Sequence, residues 1–143
     1  MLYQQEERLK KSLEIMAAFS EGTGLEEAGA SQRRYLWTDA FAVCNFLTLY
    51  ERSGKEEQLS QARLLIDVVH RTLGYFRDDD ERSGALSGLE ESQAKKYPTV
   101  AGLRIGKALR ERAPDEPYDE QKEWDRDGQY FHYLTKWMHA LDQ

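Results

Sequence analysis

The chain has 143 residues, enough for one domain (residues 1–143) with a moderate core. Forty per cent of the residues are hydrophobic and 32% charged, the balance of a soluble helical protein rather than a disordered one. The formal charge of -6 excludes a general nucleic-acid surface, and the single cysteine, Cys44, excludes an internal disulfide.

Residues 2–19 are predicted to form the first helix. Leu9, Leu13, Met16 and Ala17 share one side, while Glu6–Lys10 and Glu7–Lys11 pair at i,i+4 on the other. The second helix, 36–52, carries "LWTDAFAVCNFLTLY", apolar almost all round, so it must be covered on most sides and is expected at the centre. Gly54 is its predicted stop. The third helix, 55–76, is one-sided. Leu59, Ala62, Ile66, Val69, Leu73 and Phe76 step by three and four, and Glu56, Gln58, Arg63, Asp67 and Arg71 occupy the other faces.

From 77 to 123 the chain is polar and irregular and holds all three prolines, Pro98, Pro114 and Pro117. Short helical turns are expected at Ser87, where Ser87-x-x-Glu90 fits a capping box, and over 103–110. The fourth helix is predicted over 128–141, with Asp127 as its cap and Tyr130 among its core anchors. The fold class is therefore all-α, with antiparallel helical hairpins and a long irregular loop before the last helix. Connections alternate long, short, long, which places both long loops, and the starts of helices two and four, at one end.

Two unusual clusters fall at those helix starts, "RRYLWTD" and "EWDRDGQYFHY". Helix N-termini offer free N–H groups, long loops can wall a pocket, and flat aromatic rings beside carboxylates and amides suit sugar rings. Asp39, Asp125 and Asp127 are the candidate acids and bases; Trp37, Trp124, Gln129 and His132 are the candidate substrate contacts. On a helix extended back by one turn, Asp125, Gln129, His132 and Lys136 share one narrow face. The plainer alternative makes that face solvated, Asp39 a first-turn acid favoured by the helix dipole, and either Asp125 or Asp127 a cap.

Residues 79–90 match part of a calcium-binding EF-hand loop, with Asp79 first, Gly84 sixth and Glu90 last. Glu81 stands where a shorter ligand is usual, and a capped surface turn is the competing reading. "GLRIGKA" is one residue short of a phosphate loop and has Ala108 where Ser or Thr should bind magnesium. The histidines His70, His132 and His139 are scattered. Neither a cofactor nor a metal is expected. No signal core or span of about 18 apolar residues stands in the sequence, so no membrane is expected and a cytoplasmic location is the default.

"RRYLWTDAFAVCNFLTLY", "GLRIGKAL" and "EWDRDGQYFHYLTKWMHAL" resemble the opening portion of proteins of the six-hairpin, or α/α-toroid, superfamily, which includes glycoside hydrolases and sugar 2-epimerases. The resemblance implies about two hairpins of a toroid, with helices two and four on the inside and a substrate cleft at the end bearing the long outer-to-inner loops. It implies a carbohydrate ligand, sugar hydrolysis or isomerisation as parent chemistry, and a site completed by further hairpins or by another copy. The alternative function is a non-catalytic helical module that packs helices two and four against a partner chain.

Overall fold

The structure is a computed structural model that describes residues 1–27 and 33–143. It is all-α, in chain order α1 (Leu2–Gly22), α2 (Leu36–Ser53), α3 (Glu56–Leu73), α4 (Glu91–Lys96), α5 (Glu120–Glu123) and α6 (Phe131–Asp142). The middle of the first long connection, residues 28–32, lies outside the described residues. No described helix is long and apolar enough to cross a membrane.

α2 is the central helix, and α1, α3 and α6 each pack against it. Leu36, Val43 and Phe46 of α2 meet Leu65, Val68 and Val69 of α3 and Trp137 of α6 in one buried cluster. The helix ends where expected: Gly54 takes a left-handed φ of 66°, and its N–H donates to the Tyr50 carbonyl (2.8 Å). One stripe of α2 remains open, formed by Thr38, Phe41, Asn45, Thr48 and Arg52.

α3 is one-sided as predicted, but its buried stripe is rotated. Leu65 and Val68 are fully buried and Ile66 only partly, while Gln58 and Gln61 also lie inside. Gln61 explains the rotation. It accepts from Ser20 Oγ (2.9 Å) and donates to Glu26 Oε1 (2.7 Å), so the end of α1 covers a polar part of the stripe that a count of apolar residues omits. The helix also stops earlier than residue 76. After Gly74 the backbone turns into an isolated antiparallel bridge between Tyr75 and Ala85, with Phe76 N–H on Gly84 O (2.9 Å).

Trp137 in α6 is buried, and its indole N–H donates to His70 Nε2 in the last turn of α3 (3.1 Å). Burial holds the His70 pKa below its ordinary value, against the opposing pull of Asp67.

The intervening segment departs from prediction at three places. Ser87 caps no helix; its hydroxyl accepts from Leu89 N–H (3.3 Å), and α4 starts only at Glu91. Residues 103–110 are extended rather than helical, because their amides pair outward: Arg104 N–H to Leu73 O (2.8 Å), Ile105 N–H to Gly128 O (2.8 Å) and Leu109 N–H to Asp125 O (2.8 Å). The same pairing holds Gly128 out of a helix, so α6 begins at Phe131 with Tyr130 as its N-cap residue.

Within the EF-hand look-alike, the first acids are engaged by arginine. Arg77 Nε meets Asp79 Oδ1 (2.6 Å) and Arg82 Nε meets Asp80 Oδ1 (2.9 Å). Among the described residues, no group of three or more His, Cys, Asp or Glu side chains is placed to hold a metal ion.

Candidate functional site

The starts of α2 and α6 lie side by side, as the alternating connections required. Tyr35 and Tyr133 share a hydroxyl–hydroxyl hydrogen bond (2.6 Å), and the Trp37 ring sits 5.1 Å from Tyr133 and 6.0 Å from His132, centroid to centroid. The Lys136 ammonium stands 5.6 Å from the centroid of the Trp37 ring. His132 is wedged against Tyr133 (4.8 Å) and Tyr130 (6.0 Å). Burial and the Tyr35 hydroxyl both push the Tyr133 pKa up, so its phenol stays protonated and able to donate.

Beside this aromatic wall opens a cleft of about 360 Å³. Tyr130, His132 and Tyr133 form one side; Tyr118 and Trp124 form another; Lys107, Glu120 and Glu123 supply charge. Trp124 is 72% exposed and stands at the C-terminal end of α5. That short helix is fixed at its start by the Asp119 carboxylate, which accepts from Gln121 N–H (3.1 Å) and Lys122 N–H (3.3 Å). Lys107 Nζ donates to the Trp124 carbonyl, tying the extended segment to the tryptophan. Glu123 Oε1 is 2.9 Å from Arg112 Nε and 3.8 Å from Arg126 Nε, so its negative charge is partly neutralised.

The residues singled out from the sequence divide between this cleft and the scaffold behind it. Trp124 and His132 line the cleft, and Trp37 backs it through His132 and Tyr133. Asp125 is exposed, but it is not among the cleft-lining residues; its carbonyl pairs with Leu109 N–H. Gln129 borders a neighbouring cavity of about 150 Å³ and lies over Gly102, where it fills the space a Cβ would need. Because α6 starts at Phe131, Asp125 and Gln129 do not continue its His132–Lys136 face.

Asp127 is not the cap of α6. Its side chain is buried and gathers four donors: Arg104 Nη1, Arg77 Nη1 (3.3 Å), Gly106 N–H (2.8 Å) and Gly128 N–H (2.9 Å). Arg104 in turn donates to Tyr75 O (2.6 Å) and Thr72 O (2.8 Å), and Arg77 donates to Lys107 O (2.6 Å) and Ala108 O (2.8 Å). One carboxylate thus locks the end of α3, the extended strand-like segment and the approach to α6 together. Gly106 sits at the crossing with φ of 88°, where a Cβ would collide with the Arg34 carbonyl.

Asp39 is buried against Arg34, whose Nη1 is 3.6 Å from Oδ1, and it accepts from Tyr35 N–H (3.2 Å). Burial outweighs Arg34 and pushes the Asp39 pKa up to about 7. Tyr130 is partly exposed over the cleft rather than a core anchor.

Tyr118, Lys107 and Glu123 are cleft residues that the sequence reading missed. Only Glu123 had a signal, standing at the head of the aromatic cluster; Lys107 is held at the Asp127 crossing, where its carbonyl accepts from Arg77, and the Tyr118 ring lies 5.8 Å from the Arg112 guanidinium. A scan against protein-family models finds no match, and neither do searches of curated proteins and of solved structures.

Proposed function

We propose that the cleft beside Trp124 and Tyr130 binds a carbohydrate, as part of a helical scaffold of the α/α-toroid kind whose parent chemistry is sugar hydrolysis or isomerisation. The observation that carries this reading is the largely exposed Trp124 indole facing a cleft with tyrosine, histidine, lysine and glutamate side chains. Flat rings stack on the C–H faces of a sugar, while mixed donors and acceptors meet its hydroxyls; neither charge sign dominates, which favours a neutral polyol over a phosphate. Asp39 and Asp127 serve this reading as scaffold, since both carboxylates are buried on arginine. Glu120 and Glu123 are the carboxylates at the cleft. Completion of a catalytic site would then fall to further hairpins or another copy.

Calorimetric titration of mono- and disaccharides tests the reading. Saturable binding is expected, weakened at least tenfold by Trp124→Ala and little changed by Gln129→Ala, which lies outside the cleft. Absence of binding across a panel of neutral sugars, or equal affinity in Trp124→Ala, overturns it.

A second reading, a helical module that packs on a partner chain, is favoured by Phe131 (80% exposed) and Met138 (66% exposed) on α6. Sedimentation decides between them. A mass that drops to the monomer in Phe131→Ser/Met138→Ser supports the module, and a monomeric parent chain removes self-association as its basis.

A further inference from the structure

Tyr35 and Tyr133 share one hydrogen bond between their hydroxyls (2.6 Å), and of the two only Tyr133 lines the aromatic cleft. Tyr35 is fixed at the start of α2. Its N–H donates to Asp39 Oδ2 (3.2 Å), and its carbonyl accepts from Asp39 N–H (2.9 Å) and Thr38 Oγ1 (3.1 Å). Tyr133, in the first turn of α6, is partly exposed. The third member is Lys107, which also lines the cleft. Among the described residues its ammonium gives one N–H to the Trp124 carbonyl and none to Tyr133, and an ammonium carries three. Its charge is nonetheless felt at the phenol: burial and the Tyr35 hydroxyl raise the Tyr133 pKa, and Lys107 pulls against them.

The direction of the shared bond follows from that neighbour. A positive charge attracts the lone pairs of the phenol and repels its proton. The Tyr133 O–H therefore turns to Tyr35, and its free lone pair is left for Lys107 and the cleft. With its proton so committed, Tyr133 offers the cleft an acceptor, while Lys107 offers only donors. A ligand hydroxyl satisfies both at once, donating to Tyr133 and accepting from Lys107. An ether oxygen or a fluorine can only accept, so it leaves Tyr133 without a donor.

We propose that Tyr133 is the specificity-determining contact of the cleft, selecting a ligand by one hydroxyl held between its phenol oxygen and Lys107, with Tyr35 as the positioning residue that fixes the phenol proton. The inference rests on the carbohydrate reading and deepens it: stacking on Trp124 accepts any sugar face, whereas this pair requires a free hydroxyl at one ring position. Without Tyr35 the Tyr133 proton is free to turn into the cleft, where it meets the proton of the ligand hydroxyl.

Calorimetric titration of D-glucose, D-galactose and D-mannose, each with its series of monodeoxyfluoro analogues, tests it on the full chain. For a sugar that binds, one analogue in the series is expected to bind at least tenfold more weakly, and the others nearly as the parent sugar. Tyr133→Phe should weaken the sugar at least tenfold and weaken that one analogue no further, because the lost contact is the same. Tyr35→Phe should weaken the sugar several-fold, and its penalty should vanish in the Tyr133→Phe background; a merely structural loss would add. Sugar binding with every analogue equal to its parent, or with Tyr133→Phe unchanged, overturns this inference and leaves the carbohydrate reading standing. Additive penalties overturn the role given to Tyr35. Absence of sugar binding by the parent chain overturns both readings together. The analogue series needs no variant, so it decides the matter even if a substituted chain fails to fold.

Discussion

In the α2–α3 pair, cohesion comes from apolar surface; between residues 97 and 130 it comes from guanidinium groups and backbone carbonyls. Leu65, Val68 and Val69 pack against α2 with no polar atoms to satisfy. Asp127, Arg77 and Arg104 instead hold the loop segment through directed bonds to named atoms. Apolar packing is forgiving of exact geometry, whereas a buried carboxylate with four donors accepts one arrangement. The aromatic cleft stands on the second kind of support, so its shape depends on a residue that never touches it.

The largest effect should therefore come from Asp127→Ala. It leaves Arg104 and Arg77 without their shared anion and two backbone amides unpaired, and breaking such a pair costs roughly 3–5 kcal/mol. Chemical denaturation measures the loss, and a cost under about 1 kcal/mol would return Asp127 to the ranks of surface acids.

Leu65→Ala sharpens the other side of the comparison. A fully buried leucine should cost roughly 2–4 kcal/mol, Ile66→Ala distinctly less because that side chain is partly exposed, and Arg63→Ala about 0.5. Denaturation midpoints with Ile66 the most damaging of the three would restore the unrotated stripe.

Third comes pH. The Asp39 pKa is raised on folding, so the stability it contributes is fully present below the ordinary carboxylate pKa and is lost as pH rises through about 7. Between pH 4 and 7 this group adds a slope of at most about 1.4 kcal/mol per pH unit. Asp39→Asn should flatten thermal midpoints across that window; identical pH profiles would show that Arg34 keeps the carboxylate ionised.

The smallest effect is local. Asp119→Ala should cost about 1 kcal/mol, confined to α5. Hydrogen exchange at the Gln121 and Lys122 amides should quicken, with the core amides unchanged.

How much the sequence disclosed follows the same division. The all-α class, the central position of α2, the Gly54 stop and the neighbouring starts of α2 and α6 were legible, because periodicity and loop length carry them. The rotation of α3 was not, since Gln58 and Gln61 count as polar in any pattern and are buried through the end of α1. Nor was the late start of α6. Asp127 before Gly128 has the local form of a cap, but Arg104 lies 23 residues upstream in the chain, and no local rule weighs a bond over that separation. The cleft was half legible: Trp124 and His132 stood out by composition, while Lys107 arrives through the crossing and Tyr118 from the irregular segment, where no periodicity marks it.

The bond between Trp137 and His70 has an optical consequence. An indole N–H can only donate, so His70 must keep its Nε2 lone pair free and carry its proton on Nδ1. Protonation at low pH removes that lone pair and forces the pair apart, even though both rings start out packed. Of the three tryptophans, Trp137 is thereby the one whose emission should change as His70 titrates, while Trp124, 72% exposed against a partly buried Trp37, is the most open to an aqueous quencher. The chain thus carries separate built-in lamps for its helical core and for its cleft.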